Sequence, residues 1–303
     1  MTSTHRALLL IAVLVLGALG LGARFAVSSD SSDAATPKRA ALTVTAAKAG
    51  RTWAPAADAT LTPGVQTYTG DGQCTANFVF TDAARHVYLG QSAHCAEVGG
   101  SSSNGCRARS RPLGSKVTFD AGGSSSADGE VVGTGTLAYS SWLTMRRQHE
   151  NNAATCAYND FALVKVDDEY VSDVNPSVPV WGGPDALNAS GTSDGETVHG
   201  YGNSSIRGGD RQLSPQTGVT VEDSSATHGW SHEYESSTPG IPGDSGSAFL
   251  DSNGRAVGTL STIALTVPIV NALGDLHSEL SYARQHSGIR GLRLVLGTAR
   301  FRT

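Results

Sequence analysis

Charge is scarce in this sequence. Only 16% of its 303 residues are Asp, Glu, Lys or Arg, and 22 basic against 27 acidic residues leave a formal net charge of −5. No basic run is available to track a phosphate backbone, which argues against nucleic acid as a partner. Cysteine is also sparse, with four residues and no CxxC pair, and the spacings do not match zinc ligation. Neither a metal nor any other cofactor is called for. Internal repeats are missing, and long helical patterns nearly so. The one clear helix signal is DLHSELSYARQH, with Asp275 as N-cap, Leu276, Leu280 and Ala283 near one face, and Gly288 as a stop.

What is present points to strands. Hydrophobic residues make up 39% of the chain, enough for a large core, and 36 glycines with abundant Thr, Ser and Val favour short strands and frequent turns. From Gln73 onward the apolar segments are short: QCTANFVF, VYLGQ, SKVTF, EVVGTGTLAY and FALVKV, separated by loops such as GGSSSNG and AGGSSSADG. A stretch holding Pro176, Pro179, Trp181 and Pro184 follows, and then ETVHGYG, RQLSPQTGVTV, GSAFL and RAVGTLSTIAL resume the strand pattern, with a hairpin turn at SNG, 252–254. Two strand groups joined by a Pro-rich crossover predict an all-β chain of two small antiparallel barrels with a C-terminal helix.

The N-terminus is of another kind. Arg6 precedes an apolar run from Ala7 to Ala23, which reads as an export signal over 1–26. The run approaches the length of a membrane anchor, but the small residues of Leu21-Gly22-Ala23 favour cleavage. Membrane contact is expected only if that segment is retained. Residues 27–60 read as a linker or short pro-segment, and 61–303 as the folded unit, its first barrel over about 61–170 and its second with the helix over about 185–290. Export makes disulfides available to the four cysteines, which allow three pairings. Cys74 and Cys95 flank one apolar stretch and would close a loop of 21 positions, leaving Cys106 to pair with Cys156.

Chemistry concentrates at PGIPGDSGSAFLDSNG, Pro239 to Gly254. A turn explains these residue types, but glycines on both sides of Ser245 would also free its hydroxyl and let backbone N–H groups approach a reacting carbonyl. A serine nucleophile needs a base, and the base needs an acid to hold its tautomer. His94 in YLGQSAHC follows a strand and adjoins Cys95, whose disulfide would pin its loop. Asp160 in YNDFALVKV precedes an uninterrupted apolar run, where an ionised carboxylate is buried only with partners. His86, His149 and His286 offer no comparable setting. His228 and His232 stand four apart, as two ligands on a helix would, but Gly and Ser around them argue for a loop. DSNG resembles the start of a calcium loop without its later glutamate. Asn188-Ala-Ser and Asn203-Ser-Ser are glycosylation sequons only in a glycosylating host.

The order His94, Asp160, Ser245 is that of the chymotrypsin-like serine proteases, not of subtilisin-like enzymes or α/β-hydrolases. SAHC resembles the histidine motif of that family, NDFALV its aspartate motif and PGDSGS its serine motif. VHGYGNS at 198–204 is similar to the strand opening the second barrel, and VGTLSTIA at 257–264 to the strand lining the substrate cleft. The match runs over roughly 62–287 and resembles the secreted bacterial members. It implies a monomeric, secreted serine endopeptidase acting on protein or peptide substrates. Ser245 would be nucleophile, His94 general base and then acid, Asp160 the orienter of the imidazole, and the N–H groups of Gly243 and Ser245 the oxyanion hole. The rival reading is a catalytically silent homologue that binds peptides or partners.

Departures from the family pattern are visible. Ser247 stands where many relatives have glycine, the cysteine usually found upstream of the serine motif is absent, and there is no Ile-Val-Gly-Gly type N-terminus, so Asp244 is expected to meet an arginine instead. The tail LRLVLGT has no counterpart. For the specificity pocket, the resemblance places Pro239 at the floor, Ser261 as the backbone that pairs with substrate, and Ile263 at the entrance. Without an aspartate at the floor or a histidine beside Ser261, neither basic nor acidic side chains find a partner there. Small or medium uncharged residues are expected, with the other wall somewhere in Val267 to Gly274 and Asp275 as the charge that could reverse the preference.

Overall fold

The computed structural model describes residues 51–99, 104–223, 225–263 and 270–303. The apolar segment Ala7–Ala23 lies outside them, and no helix among the described residues is long and apolar enough to cross a membrane. In chain order the first half contains β1 (Gln66–Thr69), β2 (Gly72–Thr75), β3 (Val79–Thr81), β4 (Val87–Ser92), β5 (Lys116–Ala121), β6 (Glu130–Ser140), α1 (Ser141–Gln148), α2 (Ala153–Tyr158) and β7 (Phe161–Val166). The second half contains β8 (Ala186–Leu187), β9 (Thr197–Tyr201), β10 (Pro215–Thr220), β11 (Ser231–Ser236), β12 (Ala248–Asp251), β13 (Arg255–Ile263), β14 (Val270–Asp275), α3 (Leu276–His286) and β15 (Arg293–Leu294).

The first sheet has the order β15-β3-β4-β7-β6-β5-β1-β2 and curls into a half-barrel. Strand β6 shows why these residues form it: Gly133, Gly135, Leu137 and Tyr139 face inward while Thr134, Thr136 and Ala138 alternate outward. Strand β7 lies between β4 and β6, and all its residues but Lys165 are buried. The second sheet closes on itself. Its order β12-β9-β10-β11-β14-β13-β8 is completed by pairing of β12 with β13, giving a six-stranded barrel with β8 attached. Leu61, Val79, Leu89, Phe119 and Val164 centre the first core, and Val198, Tyr234, Phe249, Leu260 and Leu273 the second.

Helix α3 begins as its sequence predicts, with Asp275 Oδ1 accepting the Ser278 N–H at 2.7 Å. Leu276, Leu280 and Ala283 pack into a third cluster with Phe80, Tyr139 and Phe161, so the helix is seated on the first sheet as well as the barrel it follows. Two short helices join it that the sequence pattern does not announce. Ser140 caps α1 by accepting from Leu143 N, and Asn152 caps α2 by accepting from Thr155 N. Residues 51–60, expected as linker, are packed: Ala54 N donates to Val174 O and Trp53 lies on the first core. The unassigned tail becomes β15, antiparallel to β3, and then returns to the crossover, where Gly183 N donates to Ala299 O and Arg302 N to Trp181 O.

Candidate active site

His94 sits in a 3₁₀ turn, Ala93–Ala96, where β4 ends, and Asp160 sits immediately before β7, the neighbour of β4. The paired strands therefore deliver the two residues to the same edge. Asp160 is 5% exposed, and its carboxylate is fully engaged. Oδ1 accepts the His94 backbone N–H at 2.9 Å, and Oδ2 lies 2.6 Å from His94 Nδ1 and accepts the Ser261 hydroxyl at 2.9 Å. A carboxylate so placed accepts the proton on Nδ1 and leaves Nε2 as the basic nitrogen. Burial works against charging the ring, but Asp160's charge and hydrogen bond, with Glu97's charge, outweigh it and raise His94 above an ordinary histidine.

The serine loop is held from the other side. Ser245 O accepts the Thr75 N–H at 2.9 Å, and Gly246 N donates to Leu260 O at 2.7 Å. Gly246 has φ +89°, and a Cβ there would lie 2.6 Å from Thr75 O and 2.9 Å from Ser92 N. Only glycine lets the loop approach the end of β4 so closely, two residues before His94. Among the described residues, Ser245 Oγ has no hydrogen-bond partner. Gly243 has φ +96°, and the peptides around it are clamped. Ser204 Oγ donates to Pro242 O, while Thr75 Oγ1 and Gln73 Nε2 donate to Gly243 O at 2.8 and 3.1 Å. The N–H groups of Gly243 and Ser245 have no acceptor among the described residues, so a free donor pair flanks the serine. Beneath them Asp244 is wholly buried and pairs with Arg207, with Nη2–Oδ2 at 2.5 Å and Nε–Oδ1 at 3.3 Å. Arg207 is thus the expected arginine. Ser247 Oγ donates to Asp244 O, which gives the serine at that position a bond of its own.

Two antiparallel β units with the histidine and aspartate on the first and the serine loop on the second now stand together. The fold is chymotrypsin-like. No family model matches the chain, and no curated protein matches it. Among solved structures it is similar to Thermobifida fusca protease A at 17% identity, covering 78% of this chain and 99% of that one, with a TM-score of 0.47. A Glu endopeptidase in complex with MPD is similar at 16% identity over 77% and 94%, with a TM-score of 0.49. Nocardiopsis protease is similar at 17% identity over 77% and 98%, with a TM-score of 0.43.

The cysteines pair as Cys74–Cys95 and Cys106–Cys156, and both bonds fit an extracellular protein. A ring nitrogen of His94 and the two sulfurs of the first bond lie within 4.8 Å of one another, so the disulfide adjoins the histidine. At the expected pocket, Pro239 is half-buried and its carbonyl accepts from Arg207 Nη2. Ile263 stands opposite Asn271, whose Oδ1 accepts the Gly240 N–H at 3.1 Å. Ser261 occupies a bulge between Leu260 and Thr262, outside the β13–β14 register. Residues 267–269 of the expected wall lie outside the described residues. Asp275 is 4% exposed and committed to α3 and His232, which takes it out of the pocket.

Several functional side chains escape sequence reasoning. Gln73 and Thr75 clamp Gly243 O and Ser204 clamps Pro242 O from segments distant in the chain, and Ser261 donates its hydroxyl to Asp160. His228 and His232 do not share a helix face: His232 lies on β11, buried between Asp223 at 2.6 Å and Asp275 at 3.1 Å. Burial disfavours its charge, yet hydrogen bonds to both carboxylates raise it above an ordinary histidine. The sequon residue Asn188 is also buried, donating to Gly191 O and Asp251 Oδ2.

Proposed function

We propose that this chain is a secreted serine endopeptidase that hydrolyses peptide bonds through an acyl-enzyme. The observation that carries the reading is the hydrogen-bonded pair Asp160–His94 at the end of β4, which the serine loop approaches through Gly246, with the N–H groups of Gly243 and Ser245 lacking acceptors among the described residues. Ser245 Oγ attacks the substrate carbonyl while His94 Nε2 takes its proton. Asp160 Oδ2, 2.6 Å from Nδ1, stabilises the imidazolium so formed. The carbonyl oxygen, now negative, is received by the N–H groups of Gly243 and Ser245, whose orientation is set before substrate arrives by the bonds on Pro242 O and Gly243 O. Collapse expels the amine, which takes the proton from His94. Water then attacks the ester with His94 acting again as base, and Ser245 is released.

Substrates are proteins or peptides, bound as an added strand along Ser261, and no cofactor is required. The Asp244–Arg207 pair holds the serine loop. Ile263, opposite Asn271 across β13 and β14, carries a branched side chain at the expected entrance, which supports cleavage after Ala, Val or Leu. Two disulfides and the apolar segment Ala7–Ala23 support export, and the enzyme acts as a monomer. A fluorophosphonate probe should label the processed protein and not Ser245→Ala. Absence of labelling in folded, processed protein refutes catalysis and leaves a binding homologue. A mixed peptide library then reads specificity, where cleavage mainly after Arg, Lys or Glu overturns the pocket assignment.

A further inference from the structure

A second carboxyl group lies against Asp160, and the reaction above does not use it. Glu279, on the first turn of α3, has no exposed surface. Its Oε1 accepts the Asp160 backbone N–H at 3.2 Å, and the Thr259 hydroxyl of β13 lies 3.4 Å from Oε2. On the β14 side the Gly274 backbone lies close, since a Cβ there would come within 2.5 Å of Oε1. The ionisable groups facing it are Asp160 before β7, Asp275 at the end of β14 and Tyr139 of β6. Among the described residues no Lys, Arg or His forms an ion pair with it.

A carboxylate there would sit dry, uncompensated and beside a second carboxylate that already has work to do. Burial chiefly, and then Asp160's charge, push Glu279 well above the ordinary carboxyl range. Oε1 accepts the Asp160 N–H and Oε2 accepts the Thr259 hydroxyl at 3.4 Å; a protonated carboxyl keeps both contacts with its hydroxyl on Oε2 and the Thr259 rotor turned to accept.

We propose that Glu279 is a positioning residue that works with its proton on, fixing the main chain of Asp160 from behind without adding a second negative charge to the triad. The inference rests on the reading of His94 and Asp160 as base and orienter. The Asp160 peptide is pinned at both ends, since its carbonyl accepts Ala93 N at 3.1 Å and its N–H reaches Glu279. Deprived of Glu279, that N–H would have no acceptor in a water-free place, and Asp160 would turn to find one. Its carboxylate would then leave the 2.6 Å contact with His94 Nδ1. An ionised Glu279 would do a different harm, because another negative charge near the imidazole would hold the proton that His94 must pass on.

Two variants separate these roles. In Glu279→Gln the amide oxygen can accept from Asp160 and the amide nitrogen can donate to Thr259, so the pattern is retained without a titratable proton. Glu279→Leu removes both bonds at similar volume. The Gln variant should keep kcat within about twofold and the same acid limb of kcat/KM, while the Leu variant, counted per titrated active site, should lose roughly ten- to a hundredfold in kcat with KM little changed. A Gln variant whose acid limb moves to lower pH shows that Glu279 is ionised at work and overturns the proposal. So does a folded Leu variant with wild-type kcat. If the Leu variant does not fold, the acid limb of the Gln variant decides. Infrared difference spectra of wild type against Glu279→Gln read the proton without turnover. A protonated-carboxyl band at neutral pH is expected and its absence refutes the proposal, so an inactive wild type would be recognised as a failure of the protease reading alone.

Discussion

Replacing Arg207 by methionine tests how the serine loop is held. Asp244 is wholly buried and the Arg207 side chain is 10% exposed, so removing the guanidinium strands a carboxylate in a dry loop. Breaking such a pair costs about 3–5 kcal/mol. Asp244 would retain three donors, Ser204 N at 2.9 Å, Ile241 N at 3.0 Å and Gln216 Nε2 at 3.1 Å. These place the loss at the lower end, about 3 kcal/mol. For a folded body of this length 1 kcal/mol moves Tm by about 2–4 °C, so the melting point should fall by about 6–12 °C. Calorimetry in a Ser245→Ala background prevents self-digestion during the scan. The double variant Arg207→Met, Asp244→Asn removes the stranded charge and leaves an amide oxygen for one of the loop donors, so it should melt above Arg207→Met alone. A shift under about 2 °C, or a double variant less stable than the single one, would refute the picture of a buried, mutually dependent pair.

Asp160→Asn should lower kcat by roughly four orders of magnitude at unchanged fold, because the imidazole is left in the wrong tautomer; near-normal turnover would remove Asp160 from its role. Activity requires neutral His94, and its raised pKa means the proton arrives on acidification before it would on a free histidine. The acid limb of kcat/KM should therefore lie above about 6.5, and a flat profile down to pH 4 counts against His94. Replacing Cys106 and Cys156 by serine opens a loop of 50 positions and should cost about 4 kcal/mol of stability while sparing activity. The same change at Cys74 and Cys95, a loop of 21, should cost about 3 kcal/mol and reduce kcat as well, since that bond lies within 4.8 Å of a His94 ring nitrogen. Equal turnover in the two variants, measured per active site, would show the brace to be without effect.

The parts of this site that could be read in the sequence are those whose chemistry is confined to a few adjacent residues. SAHC, NDFALV and PGDSGS each combine a reactive side chain with the strand or glycines that present it. Helix α3 was readable from its cap and apolar stripe, whereas α1 and α2, of eight and six residues, are too short to show a period. The second layer was not readable, because Gln73 and Thr75 reach Gly243 across 170 and 168 positions and no local pattern marks such bonds. Glu279 did leave a signal. It lies three residues after Leu276 and four before Ala283, on the stripe that α3 buries, and an acid on a buried stripe must be either paired or protonated. His232 is similar: on a strand, period two puts it on the face of buried Tyr234, where helical spacing from His228 has no meaning.

The three residues Gln73, Cys74 and Thr75 show how a short strand can organise a site shared by two barrels. Successive side chains of β2 point to opposite faces, so Gln73 and Thr75 share one face and Cys74 takes the other. The shared face meets the serine loop: both side chains donate to Gly243 O, Thr75 N donates to Ser245 O, and Gln73 Oε1 accepts Ser205 N. The opposite face carries the sulfur bonded to Cys95, beside His94. The Ser245 loop, the Gly243 peptide and the His94 turn are thus all referred to three consecutive residues, whose alignment is fixed by the antiparallel register Thr67↔Cys74 with β1. Sliding β2 by one position would exchange its faces, turning Cys74 toward the serine loop and the clamp toward His94. Both sets of contacts would be lost together, although none of His94, Gly243 and Ser245 had changed.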